Sequence, residues 1–510
     1  MDEDNNIEER LLSFKEEEGS NLKRRICSES KKIWRIATPG VISRVSSFGT
    51  IVVTQSFVGH ISAVDLAGYA LVQTLSVRFV NGILIGMSSA TETLCGQAYG
   101  AKQYHMMGIY LQRSWIIDLI TLLILLPVFL FATQIFNLLG QDGAIAKSAG
   151  YISLWFIPFV ISLIFSLTVQ MYLQAQQKNL IIAWLSALQF ALHLLCSWLF
   201  VFVLELGLPG AMAALCISSW FLVVGEFVYI FGGWCPETWK GFSIAAAKDL
   251  WPVFKLSVSS GAMICLELWY YAILVLLAGY TTDAQVSISA FSIWYPMSLY
   301  THLNIVAVSK IVGVSIFSLN INAWIVMIIL GIMGAACVRV ANELGSGNAE
   351  AVRFSIKVIM AISLTMGIVF WILCLAFGKS IGYLFTNEEE VAETISGLSI
   401  LLAFTVLLGS IFPVLSGVAV GSGLQSKVAV INLICFYGIG LPVGIVLGYW
   451  FNLGVQGIWV GLTGGVLTQT CSLSTLIWRT NWDEEVSKTS ARLKKWYLES
   501  PSDNDKNIEC

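Results

Sequence analysis

The chain alternates between long apolar runs and short polar breaks over most of its length. A helix that crosses a bilayer needs about 20 predominantly apolar residues, and twelve of the runs are long enough. They lie near residues 36–58, 67–95, 109–133, 148–170, 180–204, 210–232, 251–279, 319–338, 356–378, 394–417, 428–450 and 455–478. The breaks contain Gly, Pro, Asn or charged residues, as loops do. The pattern predicts an all-α polytopic membrane protein with twelve transmembrane helices.

The composition supports this class and excludes several functions. Of the 510 residues, 56% are hydrophobic and 12% are charged, whereas soluble domains are about 25% charged. A net charge of −3 argues against a nucleic-acid partner. The four His and eleven Cys lack the spacing of metal ligands, so we expect no metal, no cofactor and no enzyme activity. The stretch LCLAFGKS has Leu373 where a phosphate-binding loop requires its first Gly, which argues against an ATP-driven pump.

Positive charge is unevenly distributed between the two sides of the predicted membrane. The loops on the side of the N-terminus hold most of the Lys and Arg, among them Lys102, Lys178 and Arg353. The opposite loops are mostly acidic, as in the run NEEE that begins at Asn387. Cytosolic loops are enriched in Lys and Arg, so we predict that both termini are cytosolic. The polar residues 1–30 and 484–510 are expected to be disordered tails.

The two halves of the chain resemble each other. GMSSATETLCGQAYGAKQ, which begins at residue 86, aligns with GIMGAACVRVANELGSGN, which begins at residue 331. Gln97 then matches Asn342, and Gly100 matches Gly345. Six spans per half give both halves the same orientation, so we predict two lobes related by a pseudo-two-fold along the membrane normal. The alternative is a chance likeness of two Gly-rich loops. The predicted organisation is a tail over 1–35, a lobe over 36–232, a linker over 233–250, a lobe over 251–478 and a tail over 479–510.

Ionisable residues inside the predicted spans are few, and such residues are functional candidates. Glu267 lies mid-span in SGAMICLELWYYAILVLL, with no Lys or Arg within ten residues. Because burial opposes the charged form, this carboxyl would bind a proton from an acidic compartment and release it toward the cytosol. The adjacent Trp269, Tyr270 and Tyr271 suit planar or cationic organic solutes. The alternative is a buried Glu that is hydrogen-bonded to a neighbouring helix. Glu92, near a span end, is expected to order the following loop.

Four stretches together resemble the plant branch of the multidrug and toxic compound extrusion (MATE) family. They are TETLCGQAYGAKQYHMMGIYLQRSW, CLELWYY, RVANELGSGNAEAVRFS and PVLSGVAVGSGLQS, and the resemblance covers about 30–480. It implies twelve helices in two lobes, a central cavity, and exchange of organic solutes for protons through an acid at the position of Glu267. The cytosolic loop motif would comprise Glu92, Gln97, Gly100, Arg339, Asn342, Glu343 and Gly345.

The sequence departs from the family pattern at two positions. Bacterial members carry an acid on the first span, where this chain has Thr54 and Gln55. Coupling is therefore expected in the C-terminal lobe, with Gln55 lining the substrate cavity. Some plant members carry Asp or Asn on the tenth span, where this chain has Gly409. Glu267 thus has no predicted polar partner.

The sequence therefore predicts proton-coupled antiport of organic solutes or xenobiotics by alternating access. The protein would work as a monomer in the plasma membrane, for efflux, or in the vacuolar membrane, for sequestration. A proton-independent facilitator or a lipid scramblase on the same scaffold is the alternative. Transport that ignores a pH gradient would favour that alternative.

One stretch does not fit the family pattern. Relatives continue from AFSI through one Cys into LNIN, but here the whole segment Trp294–Ser318 stands between these two motifs. This chain is therefore longer than its relatives by the length of this segment minus the one Cys that it replaces. At the start of the segment Trp294 is followed by Tyr295. Trp is always encoded by TGG and a Tyr codon begins with TA, so the DNA at this point reads TGGTA. It therefore contains GTA, which can begin an intron. If Ser318 is encoded by AGT or AGC, removing 72 bases keeps the frame and leaves a Cys codon. We interpret the segment as a translated intron, the alternative being a true loop insertion.

Overall fold

The computed structural model describes residues 2–278, 326–385 and 389–496, and regular structure within these ranges is helical. The N-terminal half contains α1 (Asp2–Ile61), α2 (Ala63–Leu71), α3 (Arg78–Gly100), α4 (Tyr104–Leu130), α5 (Ala132–Leu138), α6 (Gly143–Ala175), α7 (Asn179–Trp198) and α8 (Gly207–Tyr229). The C-terminal half contains α9 (Leu250–Ala278), α10 (Val326–Gly345), α11 (Ala349–Phe385), α12 (Glu389–Ser422), α13 (Gln425–Asn432), α14 (Leu441–Ile445), α15 (Gly454–Arg479) and α16 (Trp482–Trp496).

Each predicted span has a counterpart among these helices. Eight described helical segments are long and apolar enough by themselves to cross a membrane. Two spans are composite. A π-helical turn, Val72–Val77, joins α2 to α3, and another, Leu433–Gly440, joins α13 to α14. The predicted segment Trp294–Ser318 lies outside the described residues.

Each lobe has its own apolar core. In the N-terminal lobe Tyr69, Phe129 and Phe156 are fully buried, and in the C-terminal lobe Phe436 and Trp459 are buried. Burying a large apolar side chain contributes about 1.5–3 kcal/mol, so these clusters hold each six-span lobe together as a unit.

Two close helix crossings join the lobes. A Cβ on Gly86 of α3 would lie 2.5 Å from the Cα of Gly261 of α9. A Cβ on Gly40 of α1 would lie 3.8 Å from the Cα of Gly331 of α10. Small residues let membrane helices approach this closely. Since Gly86 and Gly331 are equivalent in the repeat, the two crossings are equivalent too, as a pseudo-two-fold requires.

The predicted disordered tails are helical where the structure describes them. α1 begins at Asp2, and α16 occupies Trp482–Trp496. These expectations were therefore wrong for residues 2–30 and 484–496. In α1 the side chain of Glu29 is buried, and in α16 Trp482 and Leu493 are buried. Tertiary contacts, which composition does not reveal, hold α1 around Glu29 and α16 in place.

Candidate functional site

Glu267 lies on α9, the helix of the C-terminal lobe that packs against α3 of the N-terminal lobe. Two neighbouring residues on α9, Cys265 and Leu268, pack against Gly82 of α3, with the Leu268 Cδ1 3.1 Å and the Cys265 Sγ 3.7 Å from where a Gly82 Cβ would be. The Glu267 side chain is partly buried. Within the described part of the chain it forms no hydrogen bond and no ion pair. It is a partly buried carboxyl to which the described residues supply no fixed partner.

The other membrane acids of the described helices differ from Glu267. Asp118 is fully buried and accepts a hydrogen bond of 2.7 Å from the hydroxyl of Ser88. Glu226 is also fully buried and accepts a hydrogen bond of 3.0 Å from the amide of Gln170. Both hydrogen bonds stay within the N-terminal lobe, so these acids tie neighbouring helices together.

Glu92, which the sequence analysis predicted to order the following loop, has its described neighbours on other helices. It is 8% exposed, faces Arg44 of α1 and lies beside the thiol of Cys337 on α10. Glu92 therefore lies where helices of both lobes meet. Its Oε1 atom has no hydrogen-bond partner among the described residues.

The three consecutive aromatic residues after Glu267 have different surroundings. Trp269 is 39% exposed and stacks on Phe79 of the other lobe, with ring centroids 5.3 Å apart. Tyr270 is fully buried against Phe436, and its hydroxyl donates to the carbonyl of Gly461 at 3.1 Å. The expectation that Tyr270 lines a cavity was therefore wrong, because no part of its side chain is accessible. Tyr271 is partly buried.

The two positions that depart from the family pattern have polar or open surroundings. On the first span, Thr54 contacts the imidazole of His193 at 3.0 Å, and His193 contacts Ser218 at 3.1 Å. A hydrogen-bond network thus joins α1, α7 and α8, and Gln55 beside it is partly buried. On the tenth span, a Cβ at Gly409 would meet no atom of the described residues within 4 Å.

The loop motifs of the two halves meet at one face of the molecule. The Gln97 amide donates to the carbonyl of Gly421 at 3.0 Å, and the Asn342 amide donates to the carbonyl of Ala175 at 3.3 Å. Gln97 and Asn342 are repeat equivalents, so these reciprocal bonds obey the pseudo-two-fold. We call the face that carries these contacts, together with Gly100, Gly345 and α16, the tail face.

Backbone also meets backbone at the tail face. A Cβ on Gly100 would overlap the carbonyl oxygen of Asn342, and a Cβ on Gly345 would overlap that of Gln97. No side chain fits between the two motifs. The lobes are therefore in direct contact here, and the tail face is closed.

An ion-pair network strengthens this closure. Arg339 of α10 pairs with Glu29 of α1 at 2.8 Å and also with Glu343. The hydroxyl of Ser355 on α11 donates to Glu29 at 2.7 Å. Arg339 is 4% exposed and Glu29 is 6% exposed. Removing one partner of such a buried pair is strongly destabilising.

The C-terminal helix α16 crosses the tail face from lobe to lobe. Trp482 at its start packs in the core of the C-terminal lobe, and Leu493 near its end packs in the core of the N-terminal lobe. Between them Arg492 donates to the side-chain oxygen of Gln97 at 2.6 Å. Burial lowers the pKa of Arg492. Sequence reasoning missed this helix, although the amphipathic pattern of WDEEVSKTSARLKKW could have predicted it.

Two like-oriented helical lobes that meet along a seam define a multi-pass membrane transporter. The MatE family model matches residues 39–199 and 294–446. The chain is 52% identical to Protein DETOXIFICATION 24 of Arabidopsis thaliana over 98% of this chain and 97% of that protein. It is 49% identical to Protein DETOXIFICATION 25 of the same plant, over 97% and 96%. The chain belongs to the MATE family of transporters.

Solved structures agree with this assignment. The crystal structure of the eukaryotic MATE transporter AtDTX14 matches with a TM-score of 0.80 and 28% identity, over 92% of this chain and 99% of that chain. The Vibrio cholerae MATE transporter VcmN in the bent form shares the fold alone, with a TM-score of 0.72 and 17% identity, over 93% and 99%. The prediction of a twelve-helix, two-lobe transporter that is not an enzyme is confirmed.

Proposed function

We propose that this transporter exchanges organic solutes for protons and that Glu267 is the group that binds the proton. One observation carries the proposal: Glu267 is a partly buried carboxyl on α9, the helix that borders the other lobe, and the described residues give it no hydrogen-bond partner. A carboxyl that is already bonded, such as Asp118 with Ser88, would lose that interaction on changing its protonation state. Among the described residues Glu267 has no such bond to lose.

The seam also supports the proposed class of solute. Trp269, two residues after Glu267 on α9, is partly exposed and stacks on Phe79 of the opposite lobe. Aromatic faces attract planar and cationic organic groups. A solute bound at the seam would contact both lobes and could therefore respond to their movement. Gln55, Trp269 and Tyr271 remain our candidates for lining that path.

The tail face is proposed to be cytosolic, because Lys102 and Lys178 lie in its loops and Arg353 lies in the first turns of α11, and cytosolic ends of spans are enriched in basic residues. The described conformation would then be closed toward the cytosol. Alternating access requires a second conformation in which the tail-face contacts separate. The membrane would be the plasma membrane or the vacuolar membrane, and a monomer would suffice.

The test is transport into proteoliposomes with ethidium, a planar organic cation, under an imposed pH gradient. We expect the wild-type protein to accumulate ethidium against its gradient and Glu267→Gln to lose that accumulation. The Gln variant should still exchange labelled for unlabelled ethidium without a pH gradient, because the fold and the solute path remain. Glu226→Gln, which changes an acid of the N-terminal lobe, is the matched control and should keep accumulation.

Three results would contradict the proposal. Accumulation by Glu267→Gln equal to that of the wild type would exclude Glu267 as the coupling group. Wild-type transport that is indifferent to the pH gradient would favour a proton-independent facilitator. Movement of labelled phospholipid instead of ethidium would favour a scramblase.

A further inference from the structure

A crevice of about 550 Å³ lies between α1 of one lobe and α11 of the other. Its α1 wall includes Leu22, Ile26 and Trp34, and its α11 wall includes Val358 and Ile362. Leu22, Ile26 and Trp34 are 39–50% exposed. Any molecule in this crevice would touch both lobes.

The crevice has the dimensions of a site for a hydrocarbon chain. Its α1 wall follows positions 22, 26, 30 and 34, which form one line along a helix. At 1.5 Å per residue this line is roughly 18 Å long, comparable with an extended fatty acyl chain. The wall of α11 runs beside it from Phe354 to Met366. Most of the lining side chains are apolar.

Cationic groups occur at one end of the crevice. Arg25 pairs with Glu350 at 3.1 Å and lies 4.9 Å from the ring centroid of Phe354, so residues near 25 on α1 face residues near 350–354 on α11. Both helices continue from this end toward the apolar lining at Trp34 and Ile362. The crevice is thus charged at the tail face and apolar at depth, which is the order of groups in a phospholipid.

Arg25 is neutralised by Glu350, but two other cations are available at this end. Lys357 lies in the lining and is exposed. Lys23 is exposed and lies two turns of α1 before Ser30, hence on the same side of the helix. Among the described carboxylates none forms an ion pair with Lys23 or Lys357. Lys and Arg clusters next to a membrane span attract anionic lipid headgroups.

We propose that this crevice binds one anionic phospholipid, with its headgroup at Lys23 and Lys357 and an acyl chain along the groove. The charge at the mouth selects an anionic over a zwitterionic headgroup. Because the bound lipid touches α1 and α11, it stabilises the arrangement of lobes in which the tail face is closed. This site is separate from Glu267 and does not depend on proton coupling.

The test captures lipid from vesicles of equal phosphatidylglycerol and phosphatidylcholine content, using a photo-reactive residue at Ile362. Ile120, which is 50% exposed on α4, gives a matched control position. One basic residue near an anionic surface changes binding about fivefold. We therefore expect about fivefold or greater enrichment of phosphatidylglycerol among the lipids captured at Ile362 relative to Ile120.

The variant Lys23→Gln with Lys357→Gln should lose this enrichment, whereas Lys494→Gln with Lys495→Gln on α16 should keep it. Equal capture ratios at Ile362 and Ile120 would overturn the proposal, and so would enrichment that survives in the Lys23/Lys357 variant. Thermal unfolding without the photo-reactive residue provides a second measurement. Phosphatidylglycerol should raise the melting temperature more than phosphatidylcholine does, and this difference should vanish in the same variant.

Discussion

Gly345→Ala should open the tail face. The added Cβ would overlap the carbonyl oxygen of Gln97 and would lie 2.8 Å from its carbonyl carbon and 2.9 Å from its Cα. All three atoms belong to the backbone of the other lobe, so no rotamer change can relieve the contact. The lobes themselves must separate. Gly100→Ala repeats the experiment from the other half, because its Cβ would lie 2.8 Å from the carbonyl carbon of Asn342 and 2.9 Å from the nitrogen of Ser346.

The magnitude follows from the overlap. Carbon atoms pack at about 3.5–4.0 Å, so the lobes must move apart by roughly 1 Å. Overpacking a close-packed contact costs about 1–3 kcal/mol, and about 1.4 kcal/mol is tenfold in an equilibrium. The closed conformation should therefore lose between about fivefold and 150-fold in population relative to the open one. Transport should slow, since each cycle must pass through the closed conformation.

Disulfide trapping measures this equilibrium directly. A cysteine pair replacing Ala101 and Ser346, in a background without the exposed native Cys27 and Cys471, would cross-link only when the tail face is closed. Both Gly variants should reduce the rate of trapping. Gly438→Ala, whose Cβ would meet no atom within 4 Å, should not. Trapping at the wild-type rate in both Gly345→Ala and Gly100→Ala would refute the assignment of this contact as the closure.

Three other predictions follow from the tail face and the sequence. Arg339→Ala should lower the free energy of unfolding by about 3 kcal/mol or more. Arg353→Ala, which removes an exposed ion pair with Asp483, is the control and should lower it by less than about 1 kcal/mol. Equal losses of the two variants in thermal unfolding would contradict the buried network. Arg492→Gln should accelerate amide hydrogen exchange in α16 by roughly tenfold, because the variant loses the hydrogen bond from Arg492 to Gln97. Lys494→Gln is the control. Unchanged exchange in the Arg492 variant would show that Arg492 does not hold this helix in place. Transcript sequencing should reveal a message without the 72 bases of the proposed intron, and a message that always keeps them, with a Ser318 codon beginning TC, would defeat that hypothesis.

The hydrophobic pattern was sufficient to predict the spans, and the alignment of the two halves was sufficient to predict the two-lobe repeat. A membrane helix satisfies its own backbone hydrogen bonds, so its presence depends on local composition. The motif residues Gln97 and Asn342 were also found from sequence, because the repeat aligned them. The hydrogen-bond partners of these two residues could not be predicted from sequence. They are the backbone carbonyls of Gly421 and Ala175, and a backbone carbonyl carries no sequence signal.

Contacts between distant segments account for the predictions that failed. Glu29 and Arg339 are 310 residues apart, and a charged tail looks disordered until its partner is known. The aromatic triplet failed for a geometric reason. Consecutive helical residues point about 100° apart, so Trp269 reaches the other lobe while Tyr270 enters the core of its own. Composition identified the triplet but not which side chain faces which environment.

Contacts across the pseudo-two-fold axis come in equivalent pairs, and each pair relates one lobe to the other. A Cβ on Gly86 would lie nearest Gly261, and a Cβ on Gly331 would lie nearest Val41, the neighbour of Gly40. The stretch Gly40–Val41 therefore corresponds to Gly261 just as Gly86 corresponds to Gly331. The reciprocal amide bonds of the two loop motifs make the carbonyls of Ala175 and Gly421 equivalent as well. There are therefore three pairs of equivalent positions along the lobes. For each pair, the difference between the two residue numbers measures how far the second lobe is displaced from the first in sequence.

These separations bear on the interpretation of Trp294–Ser318, although that segment lies outside the described residues. The separation is shorter for Gly40 and Gly261 than for Gly86 and Gly331, and it then stays nearly constant at the third pair, further along the chain. The C-terminal lobe thus gains length between positions 261 and 331, where Trp294–Ser318 lies. The gain is close to the length of that segment less the single Cys of relatives, which is the excess found from the sequence alone. Without this excess the two lobes would have nearly the same number of residues between these contacts. This agreement supports the interpretation that Trp294–Ser318 is an addition to a lobe that is complete without it.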